Sequence, residues 1–302
     1  MRASIGRLVT GFLVAVIVAS ACGGTTGAAK PNVTIGSTNF PEQLILGELY
    51  AQVLEANGYT VTRKFNLGAR EIVFPALTSG QIDLEADYLA TLLAFVNKTA
   101  TGSTDPKTTS TALQKELDSK NLTVLDFAPA VDQNGFVVTK ATADKYKLTK
   151  LSDVTAVGNQ LVLGGPAECP NRPFCALGLK STYGITFKDF KPLDTGGALT
   201  VAALKGGQID IGLLFTSDST IATNGFVLLE DDKHLQLSDN IAPVVRNDLL
   251  SKAPSDFKSL INSIAPKLTT AELTAMNKQN DVDKTDPKDI AKAWLKKMGL
   301  IK

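Results

Sequence analysis

Tyr88 and Phe215 each stand five residues beyond an aspartate, Asp83 and Asp210, and each is followed by hydroxyl side chains: Thr91 in the first case, Thr216 and Ser217 in the second. Two rings brought to face each other from distant, similar parts of a chain would line a ligand cleft. Arg172 is the third group of interest. It lies in the segment Glu168 to Cys175, between Cys169 and Cys175 and beside prolines, where a fixed guanidinium could grip a carboxylate through two parallel hydrogen bonds. A surface pairing with Glu168 is the plainer alternative. Catalysis finds less support: the chain has no nucleophile elbow and no Gly-rich phosphate loop. The single histidine, His234, ends the polar run Glu230-Asp231-Asp232-Lys233 and reads as part of a solvated turn. Glu85 and Asp87, two apart on a strand-like run, could face one side and read as structural. No His/Cys cluster suggests a metal, and no cofactor motif is present.

The elements that must position these residues occur twice. Ala76-Leu77-Thr78-Ser79-Gly80-Gln81-Ile82-Asp83 returns 127 positions later as Ala203-Leu204-Lys205-Gly206-Gly207-Gln208-Ile209-Asp210. Val33-Thr34-Ile35-Gly36 is echoed by Leu161-Val162-Leu163-Gly164, and Gly58 by Gly184. Periodicity predicts a strand at Val33 to Gly36, a helix from Pro41 to Asn57 stopped by Gly58, a strand from Tyr59 to Phe65, a helix from Glu71 to Thr78, and a strand running to Tyr88. The second copy predicts strands at Leu161 to Gly164, Ile185 to Phe190 and Gln208 to Phe215, with helices ending at Tyr183 and spanning Ala198 to Lys205. Such alternation implies α/β units with mainly parallel sheets, whose ligands bind beyond the carboxyl ends of the strands. Thr99 to Thr111 reads as a polar loop, Leu113 to Leu117 as a helix and Leu122 to Phe127 as a strand. The tail from Pro254 is helical in pattern, with a capping box at Thr269 to Glu272 and Trp294 as a core anchor.

Residues 1–21 combine Arg2 and Arg7, an apolar run from Leu8 to Ala19, and the small residues before Cys22, which is the pattern of a lipoprotein signal peptide. Acylation would then fall on Cys22, and residues 22–32 would be a tether; plain secretion or an uncleaved anchor are the alternatives. Loss of Arg2 and Arg7 takes the formal charge from +1 to −1, so no basic excess exists to bind nucleic acid. Cys169 and Cys175 are then an even pair in an exported chain and predict a short-loop disulfide, with two buried thiols as the alternative.

The stretch Gly36-Ser37-Thr38-Asn39-Phe40-Pro41-Glu42-Gln43-Leu44-Ile45-Leu46-Gly47-Glu48, together with Asn66-Leu67-Gly68, Gly80 to Thr91 and Glu230 to Lys233, resembles the substrate-binding proteins of osmoprotectant ABC importers, which take up glycine betaine, choline, carnitine and related solutes. The resemblance runs from about Val33 to Lys302. It implies a bilobed periplasmic-binding-protein-like fold (type II), two α/β lobes joined by a hinge. Lobe 1 would be 33–132 plus 239–302, and lobe 2 would be 133–238. It further implies a receptor rather than an enzyme, monomeric and anchored outside the cytoplasm. Such a receptor hands a small solute to a permease driven by an ATPase.

In that family a cage of tyrosines holds the quaternary ammonium and an arginine holds the carboxylate. Tyr88, Thr91 and Arg172 match family positions, and Phe215 keeps the ring without the hydroxyl. Asn134 and Asp239 fall where two further tyrosines are implied, and Thr38 where a lysine is common. Thr38, Asn39, Gln43, Asn134, Thr216 and Asp239 are accordingly expected as polar ligand contacts, with Tyr88 and Phe215 stacking from opposite sides. Fewer rings point equally to a polyhydroxylated or aromatic ligand, or to a cation paired with Asp239. An exported enzyme using Glu85, Asp87 or Asp218, and a protein-binding or sensory receptor lobe, are the readings from other classes.

Overall fold

The repeated aspartate closes each copy of the repeat onto its own first strand. In the computed structural model, which describes Met1 and residues 30–100 and 102–302, Asp83 accepts the Thr34 N–H at 2.9 Å, and its own N–H donates to the Thr34 carbonyl at 2.7 Å. Asp210 treats Val162 in the same way, at 2.8 and 2.9 Å. The repeated glycine of the first strand serves close packing. A Cβ on Gly36 would overlap the Ile82 side chain, and one on Gly164 would stand 2.6 Å from Ile209 Cδ1. Each glycine thus admits the isoleucine that precedes the repeated aspartate.

In chain order the strands are β1 (Asn32–Gly36), β2 (Thr60–Lys64), β3 (Leu84–Tyr88), β4 (Leu122–Val124), β5 (Asn134–Val138), β6 (Val162–Pro166), β7 (Asp189–Leu193), β8 (Ile211–Phe215), β9 (Val227–Leu228) and β10 (Ile241–Arg246). They form two five-stranded sheets of matching order, β2-β1-β3-β10-β4 and β7-β6-β8-β5-β9. In each, three strands run parallel and the next runs antiparallel: β10 against β3, and β5 against β8. The sheets are therefore mixed through one reversed strand each, since β4 and β9 are in turn antiparallel to β10 and β5 and run with the first three. The cause is topological, since β5 and β10 each enter directly from the other sheet's side of the molecule and so run against their neighbours. The two crossing segments touch, with Val131 and Asn240 bridged antiparallel and the Asp132 N–H donating to the Asp239 carbonyl at 3.1 Å.

The helix Pro41–Ala56 is buried around most of its circumference, because the first sheet lies on one side and the C-terminal helices on the other. Ile290, Trp294 and Leu295 of the helix Pro287–Lys297 pack there, and Trp294 also donates to Glu272 at 3.0 Å. The tail thus completes the core of the first lobe, as its pattern predicts.

Three local expectations shift. The helix Pro106–Asp118 begins inside the expected polar loop, because Asp105 caps it by accepting the Thr108 N–H at 2.8 Å. The strand expected from Ile185 starts only at Asp189, because the Ile185 N–H turns back to the Leu179 carbonyl as part of the helix terminus. The strand expected to reach Phe127 ends at Val124. The signal segment 1–21, Cys22 and the tether up to residue 29 lie outside the described residues. Among the described residues no helix is long and apolar enough to cross a membrane.

Candidate functional site

Tyr88, at the end of β3, and Phe215, at the end of β8, border one cleft of about 670 Å3 between the two sheets. The first-lobe wall is a buried polar layer. The Tyr88 hydroxyl donates to Glu42 Oε1 at 2.5 Å, and Glu42 also accepts from Ser217 Oγ and Asn277 Nδ2, each at 2.7 Å. Burial raises the Glu42 pKa above the ordinary carboxylate value, while these three donors pull it back. Glu42 sits in the first turn of its helix, where the helix dipole favours negative charge. Because Ser217 belongs to the second lobe and Asn277 to the C-terminal helices, one carboxyl group ties three parts of the molecule together.

Below the rings, Arg70 opens the helix Arg70–Thr78 and is held by Asp87 through Nε at 3.0 Å and Nη2 at 2.5 Å. Arg70 Nη2 also donates to Thr91 Oγ1 at 2.9 Å, and Asp87 accepts the Tyr88 N–H at 2.7 Å. The Thr91 N–H donates to Asp239 at 2.8 Å. Burial pushes the Asp239 carboxyl up to about 7, with the Thr91 N–H and Arg70 lowering it and Asp87 raising it. Asp239 borders the cleft, yet one of its oxygens is already engaged with lobe-1 backbone. Glu85 is buried behind this layer, and its pKa is raised first by burial and then by Asp87. A buried arginine compensating Asp87 is what its burial requires.

The second-lobe wall is built differently. A Cys169–Cys175 disulfide, with Cα atoms 5.2 Å apart, closes the loop that carries Arg172 and Phe174. The Phe174 carbonyl accepts from Asn134 Nδ2 and Gln236 Nε2, each at 2.9 Å. Arg172 reaches across the cleft and donates from Nη2 to both oxygens of Glu71, at 3.1 and 2.8 Å. Its partner is therefore a residue of the opposite lobe and not Glu168. Phe215 stacks on Phe40 with centroids 5.0 Å apart, and Phe40 lies 6.3 Å from Tyr88. The two rings are thus joined through a third.

Thr38, Asn39, Gln43, Tyr88, Thr91, Asn134, Arg172, Phe215 and Asp239 all border this cleft. Thr216 does not. Its Oγ1 accepts the Gln133 N–H at 2.9 Å and its N–H donates to the Gln133 carbonyl at 2.9 Å, so its polar groups are used at the crossing between lobes. Sequence reasoning missed Phe40, Glu42, Arg70 and Asp132. Phe40 carried a signal, an aromatic immediately before a helix-starting proline; Arg70 could have been sought as the cation that a paired Glu85 and Asp87 would need. Among the described residues no group of three or more His, Cys, Asp or Glu side chains could hold a metal ion. Rings, a rim arginine and buried acceptors around one cleft suit the binding of a small polar solute.

Residues 31–297 match the family described as the substrate binding domain of ABC-type glycine betaine transport system. The carnitine transport binding protein OpuCC of Listeria monocytogenes is 28% identical over 279 residues, which cover 91% of this chain and 89% of that protein. The glycine betaine-binding protein YehZ of Escherichia coli strain K12 is 26% identical over 285 residues, covering 91% and 93%. A crystal structure of a glycine betaine/carnitine/choline ABC transporter superposes with a TM-score of 0.69 at 29% identity, covering 89% of this chain and 99% of that one. The shared fold is the bilobed type II binding-protein fold, and these relatives are solute-binding proteins rather than enzymes. The chain accordingly belongs to the family of substrate-binding domains of ABC-type glycine betaine transport systems.

Proposed function

We propose that the chain is the extracytoplasmic receptor of an ABC importer, held at the membrane by a lipid on Cys22 once residues 1–21 are removed. It acts as a monomer, captures a betaine-class solute between lobe 1 (33–132 plus 239–302) and lobe 2 (133–238), and delivers it to a permease and its ATPase. The observation that carries this reading is the cleft, to which the two lobes contribute rings at matching strand ends, Tyr88 and Phe215, with Arg172 at the rim. The paired crossings at Val131 and Asn240 are the hinge. Solute binds the closed arrangement more tightly than the open one, and that difference drives closure. A ligand carboxylate takes Arg172 from Glu71 by accepting two parallel hydrogen bonds, where Glu71 is held through Nη2 alone.

Calorimetric titration of the full chain with glycine betaine, carnitine and choline tests the reading. Saturable binding that is lost in Tyr88→Ala, with the variant still folded, is the expected result; absence of heat with all three overturns the betaine class. A second reading is favoured by Asn134 and Asp239, polar groups on the cleft where the family resemblance implies tyrosines. On that reading the same scaffold takes a polyhydroxylated or aromatic solute. A disaccharide and a polyphenol in the same titration distinguish the two.

A further inference from the structure

We infer that the hinge end of the cleft is a subsite for a protonated amine with Asp132 as its counter-ion, so that the preferred solute carries an N–H donor on its cation and is not fully methylated. This rests on the betaine-class reading above and narrows it. Asp132 lies on the first crossing between lobes, borders the cleft and is only 4% exposed. Its Oδ1 accepts the Ser217 N–H at 2.9 Å and the Thr216 hydroxyl at 3.4 Å. Its Oδ2 is buried and has no partner. Gln43, 1% exposed and bordering the same cleft, likewise has an unpartnered Oε1. Its amide can turn over, but a carboxylate can only accept while it is ionised.

Among the described residues no lysine or arginine bonds to Asp132. The charged groups that act on it most strongly are Glu42, from the helix Pro41–Ala56, and Asp239, from the return crossing; both are carboxyl groups. The Tyr88 hydroxyl on β3 is committed to Glu42, Arg70 to Asp87 and Thr91, and Arg172 to Glu71. Lys98 also borders the cleft without bonding to Asp132. A buried carboxyl group ionises at low cost only beside a cation, and a ligand N–H donor would supply one. A trimethylammonium group has no hydrogen to give and depends on π faces. Here those faces are partly used, because Phe40 stacks on Phe215. A protonated secondary or tertiary amine keeps the charge and adds a charge-assisted hydrogen bond.

Burial, then Glu42, holds the Asp132 carboxyl well above its ordinary range. A cation favours the ionised form, so binding expels a proton, and affinity falls as pH is lowered through that raised value.

The experiment is a calorimetric titration of the full chain with glycine betaine, dimethylglycine and sarcosine, which share a carboxylate and exchange one methyl for one N–H at each step. Dimethylglycine is expected to bind at least about tenfold tighter than betaine, the worth of one hydrogen bond to a charged group. Binding is expected to be weaker at pH 5 than at pH 8, with proton release seen as heats that depend on the buffer. In Asp132→Asn the preference should shrink to under about threefold, the charge being gone. If that variant does not fold, the order found with the unaltered chain decides alone. Betaine equal to or tighter than dimethylglycine overturns the amine subsite and leaves the betaine-class reading standing. No binding by any of the three overturns both.

Discussion

Asp83 and Asp210 hold equivalent backbone partners, Thr34 and Val162, at distances that agree within 0.2 Å, whereas the residues five places further on do different work. Tyr88 is tied by its hydroxyl to Glu42, and the helix before its strand opens with Arg70, which is bound to Asp87. In the second copy Phe215 has no hydroxyl to tie, and the corresponding helix opens with Ala198. Its N-terminus is capped by Asp194, which accepts the Leu199 and Thr200 N–H groups at 2.8 and 2.9 Å. What the two copies share is whatever builds a parallel strand pair. Where they differ, one lobe supplies a charged and buried floor and the other a ring, a disulfide loop and a rim arginine.

The largest effect should come from the floor. Arg70→Ala leaves Asp87 and Asp239 buried without their cation, which costs about 3–5 kcal/mol of stability and is read by denaturant unfolding. Arg172→Ala removes a pair whose side chains are 29% and 42% exposed, so it should cost less than about 1 kcal/mol while abolishing capture of carboxylate-bearing solutes. Equal losses of stability in the two variants would mean that the lobes are not built on different principles.

The shared part can be tested by symmetry. Asp83→Ala and Asp210→Ala each strand a backbone N–H of the first strand and should each cost about 1–3 kcal/mol. Hydrogen exchange should show the loosening in β1 for one and in β6 for the other. A difference between them above about 1 kcal/mol would show that the repeat is preserved in sequence without being equivalent in energy.

This division also explains what could be read from the chain alone. Repeated residues act on near neighbours or on a strand one unit away, so spacing reveals them. The cysteine pair, six apart, is equally local. Glu42 takes its donors from residues 46, 175 and 235 positions away, and a glutamate in a first helical turn looks solvated until its surroundings are known. Arg172 could be placed at the cleft from the loop that holds it, but its partner lies 101 positions away on the other lobe. Thr216, which lies off the cleft, is the opposite case. Its position beside Phe215 suggested a ligand contact, while β pairing at the crossing had already used its polar groups.

The smallest expected effect concerns the Arg172–Glu71 ion pair, which spans both halves of the comparison at the rim. Glu71→Gln should change stability by less than about 1 kcal/mol, since the pair is half in solvent. Its consequence for binding depends on what the pair is for. If Glu71 merely occupies Arg172 until a ligand carboxylate replaces it, the variant should bind glycine betaine about threefold tighter, a gain of under 1 kcal/mol, and choline, which has no carboxylate, unchanged. If the pair instead helps hold the lobes together around solute, both ligands should bind more weakly by a similar factor. Titrating the two ligands against the one variant separates a competitor from a clasp, and so decides whether the rim arginine belongs to the ligand or to the closed state.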